Sequence, residues 1–397
     1  MKKILIFSHA MEIGGAEKAL LGLLETIDTK RYQVDLFLMR HSGELMKYIP
    51  EKINLLPMIP QYACLAIPIT QVIKEGHFLT AFNRWRGKIS AQKRIQELRL
   101  EHSDVSLEYS HKFTISSMPM INDVEYDLAI SFLTPHYFVA EKVKAKKKIA
   151  WIHTDYSKVQ VDKESQLKMW QPYDHIASIS DQASEVFKTV FPELKEKLFV
   201  LENIMPMKYM HCLENTFSVC DEFTEDGSVK LLSIGRFTGA KNFDNIPDIC
   251  RRILKKGIDI KWYIIGYGGE ESLIRAKIQE ANMQNNVLIL GKKDNPYPYI
   301  MACDIYIQPS RYEGKCVTVR EAQILHKPVI ITNYATSSSQ LRDGYDGIIV
   351  PMDNEGCAEG IVRVINNLEL QKRLIDNTKE IDYSNREEIN KLYQLVN

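Results

Sequence analysis

The sequence has few of the features that mark a disulfide-bonded or nucleic-acid-binding protein. Its 397 residues include seven cysteines, an odd number with no CxxC pair and no regular spacing. Unpatterned cysteines are typical of reduced proteins, so we expect a cytoplasmic chain. Lysine plus arginine and aspartate plus glutamate both number 51, and the net charge is therefore zero. A neutral balance gives no indication of nucleic acid as a partner.

Long hydrophobic runs and metal-binding patterns are also lacking. No apolar run approaches the roughly 18 residues of a transmembrane helix. The first residues, MKKILIFSHA, resemble the start of a signal peptide, but the apolar run is short and a charged, glycine-containing segment follows at once. We therefore predict a buried first strand there. Because HxH, HExxH and DxD spacings are absent, we predict no metal site.

Short apolar runs alternate along the chain with longer segments of helical periodicity. Many of these runs lack polar alternation, which is typical of parallel strands buried on both faces. The pattern predicts an α/β protein with Rossmann-like domains. The predicted strands lie within 3–9, 33–39, 126–132, 147–153, 175–180, 197–203, 229–235, 260–266, 286–291, 304–309, 328–332 and 347–351.

One series of strands ends at 206, and the next begins after 207–228, where apolar periodicity is weak and a turn cluster, EDGS, ends the segment. We therefore predict an N-terminal Rossmann-like domain at 1–206 and a C-terminal one at 207–380. Apolar residues at helical spacing predict a last helix within 381–397, which needs a surface to pack on.

Two glutamates eight residues apart, Glu313 and Glu321, lie between two predicted strands. Glu313 is expected in a loop and Glu321 on the first turns of the helix that follows. The backbone N–H groups near Cys316, Val317 and Thr318 would begin that helix and form a phosphate site. One carboxylate beside a reacting sugar and another on a ribose, with a diphosphate between them, would suit an enzyme that uses a nucleotide sugar.

Glycines and cations follow two other predicted strands. Gly14 and Gly15 come after the first strand and would let the backbone approach a phosphate, although a plain strand-to-helix turn explains them too. The pattern is not GxGxxG, which disfavours an NAD-dependent dehydrogenase. Arg236 and Lys241 follow the strand at 229–235 and suit a diphosphate, while two solvated surface charges are the alternative.

Three further candidates have weaker sequence contexts. Gly266 lies in a glycine turn after a strand, and Lys293 lies in a loop that two prolines stiffen and that could offer groups to a nucleotide base. A stiff loop without a ligand is an equal interpretation. His153 ends a predicted strand, and the carboxyl ends of parallel strands border the ligand crevice of such sheets. A structural histidine is the alternative.

Four segments in sequence order resemble the retaining glycosyltransferases of family 4, which have the GT-B fold: GGAEK at 14–18, WIH at 151–153, GRFTGAK at 235–241 and SRYEG with a following EA at 310–322. The resemblance implies two Rossmann-like domains with parallel sheets facing across a cleft, and a last helix that packs back on the N-terminal domain. It implies a nucleotide-sugar donor, most simply a UDP-sugar, bound mainly by the C-terminal domain without a metal or other cofactor. The acceptor would be a glycan or a lipid-linked glycan in capsule or exopolysaccharide assembly.

The resemblance also implies roles for the residues of the C-terminal domain. Arg236 and Lys241 would hold the diphosphate, and Glu321 would accept the ribose hydroxyls. Glu313 would lie beside the anomeric carbon and stabilise its developing positive charge. Cationic side chains and helix amides would stabilise the departing diphosphate.

From the N-terminal domain, the resemblance implies that Gly15 closes a loop against the donor and that His153 contacts the sugar. The family often has EGFG where this chain has EGKC. Lys315 and Cys316 thus replace an aromatic residue and a glycine beside the sugar pocket, which leaves the identity of the sugar open.

Two other functions would use a related fold. A UDP-sugar 2-epimerase would need carboxylates and a histidine placed for proton abstraction, and it would lack the observed order of motifs. A non-catalytic partner subunit would be expected to lose Glu313, Arg236 or Lys241, and all three are present.

A basic segment at 82–100, FNRWRGKISAQKRIQELRL, has helical character and aromatic residues. Basic and aromatic residues on one helix suit an anionic membrane surface, so the protein could lie peripherally on the inner face of the membrane. A solvated basic helix is the alternative. The basic residues are Arg84, Arg86, Lys88, Lys93, Arg94 and Arg99.

Overall fold

The computed structural model describes residues 1–100, 103–154, 156–157, 159–223 and 225–396. Contacts divide the chain into two units, one formed by residues 1–206 with 385–397 and the other by residues 207–384. Asn397, the last residue of the predicted C-terminal helix, lies outside the described residues.

The first unit contains a parallel sheet of seven strands in the order β3-β2-β1-β4-β5-β6-β7. β1 lies in the interior of the sheet, where Ile4 pairs with Val34 of β2 and with Leu128 of β4. These central positions are buried because both faces of the sheet are covered, as the uninterrupted apolar runs predicted. The strands are β1 Lys2–Ser8, β2 Tyr32–Leu38, β3 Asn54–Leu55, β4 Glu125–Ser131, β5 Lys144–Ile152, β6 His175–Ser178 and β7 Leu198–Val200.

Helices connect these strands, and several begin at side chains that suit a helix start. Asp162 accepts a hydrogen bond from the Ser165 N–H, and Ser180 accepts one from the Ala183 N–H, so both cap the helices that follow them. The helices are α1 Gly15–Thr26, α2 Pro60–Ala63, α3 Ile69–Lys74, α4 Phe78–Leu98, α5 Val105–Thr114, α6 Tyr137–Lys142, α7 Lys163–Trp170 and α8 Asp181–Val190.

The last helix of the chain, Ile389–Val396, packs within the first unit. The Tyr393 ring stacks on Tyr32 with 4.7 Å between ring centres. Its hydroxyl accepts a hydrogen bond of 2.8 Å from the Asp28 N–H. The ammonium group of Lys2 donates to the carbonyl of Val396 at 2.8 Å, which satisfies a free carbonyl at the helix end.

The second unit contains a parallel sheet of six strands in the order β10-β9-β8-β11-β12-β13. β8 and β11 are parallel neighbours, and the order in which successive strands join the sheet reverses between them. Open α/β sheets bind ligands at such a switch point. The strands are β8 Val229–Ile234, β9 Ile260–Ile265, β10 Val287–Gly291, β11 Ile305–Gln308, β12 Val329–Thr332 and β13 Ile348–Val350.

The helices of the second unit surround a core formed by apolar side chains of the sheet and of the helices. Proline occupies the first or second position of two of them, where its missing N–H is not needed. The helices are α9 Met207–Leu213, α10 Ile246–Lys255, α11 Glu271–Ala281, α12 Tyr297–Ala302, α13 Val317–Ile324, α14 Ser337–Gln340, α15 Asn354–Ile365 and α16 Leu368–Lys379, and the C-terminal helix of the first unit is α17.

The predicted α/β architecture with two Rossmann-like domains is confirmed. Each of the twelve predicted strands corresponds to a strand of the structure. The prediction omitted β3, which has two residues at the edge of its sheet and therefore produces no pattern in the sequence. Within the part of the chain that the structure describes, no helix combines the length and the apolar character needed to cross a bilayer.

Candidate functional site

An ion pair lies where β8 and β11 end at the switch point of the second sheet. Lys241 ends a short 3-10 turn after β8, and Glu313 lies in the loop after β11. The Lys241 Nζ is 2.5 Å from Glu313 Oε1, and the two side chains are 18% and 12% exposed. The fold thus brings together two predicted site residues that are 72 positions apart in the sequence.

Glu313 is held by more than the lysine. The Ser310 hydroxyl donates to the same Oε1 atom at 2.6 Å, and the amide of Gln308 donates to Ser310 Oγ at 2.9 Å. The hydroxyl of Thr336 donates to the backbone carbonyl of Glu313 at 2.7 Å. The carboxylate is therefore fixed in position without a ligand, as a preorganised catalytic group should be.

The surroundings of Lys241 keep its ammonium group charged. Burial opposes the charge, but the neighbouring Cys316 and Glu313 outweigh it, so the pKa of Lys241 is raised above its usual value. Cys316 Sγ is 3.7 Å from the Lys241 Nζ, and burial raises the pKa of this thiol. An added Cβ at Gly235 would come 3.0 Å from Lys241 Cε, so the glycine leaves room for the lysine chain.

The helix that follows Glu313 provides the predicted backbone donors in part. α13 begins at Val317 with Cys316 as its N-cap residue. The Cys316 N–H donates to Gln340 Oε1 at 2.7 Å and is therefore not available, contrary to the prediction. Among the described residues, no acceptor is found for the N–H groups of Val317 and Thr318. These two groups, next to a buried cation, suit an anion.

Glu321 lies on the second turn of α13, as predicted, but it is covered by protein. Its side chain is 0% exposed, and its Oε1 atom accepts a hydrogen bond of 2.9 Å from the Tyr297 hydroxyl. In this structure the carboxylate therefore supports the packing of α12 against α13. Contact with a ribose would require it to become accessible.

Arg236 lies at the surface of the second unit, two residues after β8. Among the described residues it has no hydrogen-bond or ion-pair partner. The chain beside it is fixed, because the Phe237 N–H donates to the carbonyl of Tyr267 at 2.9 Å. A guanidinium group that is exposed on a fixed backbone can bind a phosphate without first breaking another contact.

Gly266 and Lys293 make contacts that the sequence did not indicate. Gly266 has φ 154°, and an added Cβ would come 1.9 Å from the carbonyl oxygen of Gly235. The glycine therefore allows two loops of the protein to approach each other closely. The Lys293 ammonium donates to Glu222 Oε2 at 2.6 Å and lies 5.3 Å from the centre of the Tyr299 ring.

The remaining predicted residues, Gly14, Gly15 and His153, lie in the first unit. Gly14 is the N-cap of α1, and an added Cβ there would come 2.2 Å from Glu17 Oε2, so the close approach is to the protein's own carboxylate. Gly15 has open space beside it. The His153 ring stacks on Trp151, and burial lowers the pKa of His153 to about 3, which makes it a neutral imidazole.

An arginine that sequence reasoning missed joins the two loops of the site. Arg311 donates to both carboxylate oxygens of Asp244, at 2.9 and 2.7 Å, and to the carbonyl of Gly239 at 2.7 Å. The Asn242 amide donates to the carbonyl of Pro309 at 2.8 Å. These bonds fix the loop after β8 against the loop after β11. Arg311 stands inside the SRYEG motif, but its partner could not be identified from the sequence.

The basic segment at 82–100 is part of α4, and two of its six cations are used inside the protein. The Arg84 Nη1 atom donates to the carbonyls of Cys64 and Ile67, both at 2.6 Å. The Arg94 Nε atom donates to Asp162 Oδ2 at 2.7 Å. The prediction that all six basic residues form one available patch is therefore wrong, because these two side chains turn towards buried acceptors.

The same helix exposes an apolar stripe. Phe82 and Trp85 are 52% and 51% exposed, and Phe78, Leu79 and Ile89 are exposed as well. Phe78, Phe82, Trp85 and Ile89 follow a helical spacing of four, three and four, which places them on one face. Exposed aromatic residues in a row are uncommon on a monomer surface and indicate contact with a partner or a membrane.

Comparison with known proteins gives a family match within the second unit. Residues 221–381 match the family model described as Glycosyl transferases group 1. The chain is 28% identical over 144 residues to the N-acetylgalactosamine-N,N'-diacetylbacillosaminyl-diphospho-undecaprenol 4-alpha-N-acetylgalactosaminyltransferase of Campylobacter jejuni, an alignment that covers 36% of this chain. The chain spans less than half of the length of the first curated relatives it matches, 39%, 42% and 43%.

Solved structures resemble the whole chain, and two examples are complexes with UDP. HepE of Anabaena in complex with UDP has a TM-score of 0.64 and 14% identity, with 99% of this chain and 100% of that chain covered. A TarM variant of S. aureus in complex with fondaparinux, alpha-GlcNAc-glycerol and UDP has a TM-score of 0.67 and 14% identity, with 100% of both chains covered. With the two parallel Rossmann-like sheets, this likeness confirms the predicted GT-B fold.

Proposed function

We propose that the protein is a retaining glycosyltransferase that moves a sugar from a nucleoside-diphosphate donor, a UDP-sugar, to a glycan or lipid-linked acceptor in surface polysaccharide assembly. The observation that carries the proposal is the Lys241–Glu313 ion pair, which lies at the β8/β11 switch point beside the first turn of α13. A cation, a carboxylate and backbone N–H groups of a helix therefore lie together in one small site.

Each group has a role in transfer. The diphosphate binds the N–H groups of Val317 and Thr318 together with Lys241 and Arg236. Glu313 lies beside the anomeric carbon and stabilises the positive charge that develops as the bond to the diphosphate breaks. The leaving diphosphate takes the proton of the acceptor hydroxyl, so that attack and departure occur on the same face and the configuration is retained. Two cations neutralise the charge of the leaving group and two backbone N–H groups donate hydrogen bonds to it, so no metal is needed.

The similar proteins support the donor and acceptor classes. HepE and the TarM variant are described as complexes with UDP, and the Campylobacter relative is named as a transferase that acts on a diphospho-undecaprenol glycan. A UDP-sugar and a lipid-linked acceptor are therefore the first choices for this chain.

Ligand contacts of Gly14, Gly15, Gly266, Lys293 and Glu321 stay predictions. The contact of His153 with the sugar stays a prediction as well. A neutral imidazole there could form hydrogen bonds with a sugar hydroxyl but could not supply a positive charge. Single alanine substitutions of Lys293 and His153, compared by KM for the donor, would assign or remove these roles.

The test is slow hydrolysis of the donor without acceptor, measured as nucleotide release from a panel of UDP-, GDP- and ADP-sugars. At least one UDP-sugar should be hydrolysed, in excess EDTA as well as in magnesium buffer, and Lys241→Met should abolish release. A requirement for a divalent cation would overturn the metal-free mechanism. Interconversion of the nucleotide sugar into its 2-epimer, without release, would favour the epimerase alternative.

The exposed face of α4 supports a second part of the proposal, contact with the inner face of the membrane. The exposed aromatic stripe can enter the interface, and the four basic residues of the segment without buried acceptors can face anionic lipid. Each such cation contributes about 1 kcal/mol near an anionic surface, so binding should be weak and sensitive to salt. These four are Arg86, Lys88, Lys93 and Arg99.

A further inference from the structure

A row of buried polar side chains lies between β11 and α13, beside the candidate site. Tyr306 and Gln308 are two residues apart on β11 and therefore point to the same face of the sheet. The alternate residues Ile305 and Ile307 lie in the apolar core. Both polar side chains are fully buried. Burial of a polar group is unfavourable unless the group is hydrogen-bonded, so the bonds that these two side chains form explain why they are tolerated there.

The direction of these bonds follows from Glu313. A carboxylate only accepts hydrogen bonds, so the proton between Ser310 Oγ and Glu313 Oε1, which are 2.6 Å apart, belongs to Ser310. Because the single proton of Ser310 is used in this way, its hydroxyl oxygen can only accept from Gln308, at 2.9 Å. The side chain of Gln308 must therefore present its NH₂ group to Ser310 and its Oε1 atom to the opposite side.

Tyr306 lies on that opposite side. Its hydroxyl is 2.8 Å from Gln308 Oε1 and 2.8 Å from Thr318 Oγ1, and the carbonyl of Ile234 is more distant at 3.5 Å. Burial raises the pKa of Tyr306 well above its usual value, so the hydroxyl keeps its one proton. An amide oxygen cannot donate, so Gln308 takes the tyrosine proton, and the hydroxyl of Thr318 supplies the proton of the other contact. Thr318 Oγ1 is 3.4 Å from Gln308 Oε1, too far to replace the tyrosine well.

The orientation of the Gln308 amide decides which group receives the proton of Ser310. In the orientation that Tyr306 fixes, Ser310 donates to Glu313. If the amide were flipped, Gln308 Oε1 would face Ser310 and compete for that proton, and Glu313 would lose a donor. The two ends of an amide have nearly the same shape, so hydrogen-bond partners determine which orientation is adopted.

We propose that Tyr306 and Gln308 are positioning residues for Glu313. The tyrosine hydroxyl fixes the amide, and the amide directs the Ser310 hydroxyl onto the carboxylate. The order of the bonds follows from the structure alone, whereas its effect on sugar transfer rests on the proposed function. A carboxylate that is held by a donor is oriented before charge develops on the sugar, so weakening that donor should reduce turnover without changing the binding of the nucleotide sugar.

The first test is Tyr306→Phe, which removes only the hydroxyl that bonds Gln308 and leaves Ser310 and Glu313 themselves unchanged. Turnover of the donor, measured as nucleotide release, should fall about 10-fold with an unchanged KM, because one hydrogen bond that orients the carboxylate is weakened. Tyr383→Phe is the matched control. Tyr383 is buried in the same unit, and its hydroxyl donates to Asp346 Oδ2 at 2.9 Å. The control should be less stable but should keep the turnover of the unmodified protein.

The second test combines Tyr306→Phe with Glu313→Gln. A glutamine at 313 donates as well as accepts, so it no longer forces the direction of the bonds, and Tyr306 loses its influence. In that background Tyr306→Phe should cause no further loss of turnover, and it should shift the guanidinium midpoint of unfolding less than in the unmodified protein. A merely structural tyrosine would have the same two effects in both backgrounds.

Ser310→Ala is a smaller change that removes the donor itself. It should lower turnover about 10- to 100-fold, again with an unchanged KM, because a hydrogen bond to a charged group is lost. Like Tyr306→Phe, it should have no further effect on turnover once Glu313 is replaced by glutamine.

The outcomes separate the positioning role from the proposed function. Normal turnover of Tyr306→Phe and Ser310→Ala, an equal loss in Tyr383→Phe, or full effects in the Glu313→Gln background would overturn the positioning role. If no nucleotide sugar is hydrolysed but the unfolding midpoints are coupled, the glycosyltransferase function fails and the ordered bonds to Glu313 stand. If donors are hydrolysed and Tyr306→Phe turns over normally, the positioning role fails and the proposed function stands.

Discussion

Replacing Glu313 by glutamine removes one charge of the Lys241–Glu313 pair and keeps the shape of the side chain. Removing one partner of a buried ion pair costs about 3–5 kcal/mol, whereas an exposed pair contributes about 0–1 kcal/mol. With exposed fractions of 18% and 12% the pair lies nearer the buried limit. Allowing for the remaining exposure, we expect Glu313→Gln to lower the free energy of unfolding of the second unit by about 2–3 kcal/mol.

The double variant Lys241→Met/Glu313→Gln separates the charge effect from the loss of contacts. Without Glu313 the ammonium group of Lys241 is buried and uncompensated, and removing that charge as well should recover about 1–2 kcal/mol relative to the sum of the single variants. Activity should behave differently. Glu313→Gln should lose about 10²- to 10³-fold in donor turnover, and the double variant should not regain it.

Stability would be measured by guanidinium unfolding and by native-state hydrogen exchange of the peptides that contain β8 and β11, and activity by nucleotide release. Additive stability effects would refute the assignment of a coupled buried pair. Near-normal turnover of Glu313→Gln in a folded protein would place the chemistry elsewhere.

Three further predictions concern other parts of the chain. Burial lowers the pKa of His9 to about 4 and that of His153 to about 3, so both rings stay neutral in the folded protein at pH 5. Their contribution to stability is full above pH 6.5, the ordinary histidine value, and by pH 5 each should have lowered the free energy of unfolding by about 2 kcal/mol, because only the unfolded chain gains the protons. A free energy of unfolding that is equal at pH 7 and pH 5 would contradict this. Gly266→Ala should destabilise the second unit by more than about 3 kcal/mol because its φ is 154° and the added Cβ meets a backbone carbonyl, which a thermal melt would detect as a lower Tm. Phe82→Ser with Trp85→Ser should reduce sedimentation with anionic liposomes at low salt, and undiminished binding would argue against a role of the α4 stripe.

Much of the fold could be predicted from local patterns. A strand that is buried on both faces is mainly apolar, so β1, β4 and β8 are visible in the sequence as short, largely apolar runs. Polar residues just after such strands, Lys241 and Glu313 among them, could be assigned to the ligand edge because carboxyl ends of parallel strands border the binding crevice. The edge strand β3 was not predicted because a strand of two residues shows no periodicity in the sequence.

The partners of those residues were decided by the tertiary structure. Lys241 contacts Glu313 because β8 and β11 are neighbours in the sheet, and no short segment of the sequence determines the order of the strands. Contacts between segments distant in the sequence also explain two pairings that were not predicted. Lys293 donates to Glu222, and Arg84 donates to two backbone carbonyls. Hydrophobic periodicity acts over a few residues and determines elements, whereas the hydrogen bonds and ion pairs of a site depend on which distant segments the packed sheet brings within about 3 Å of each other.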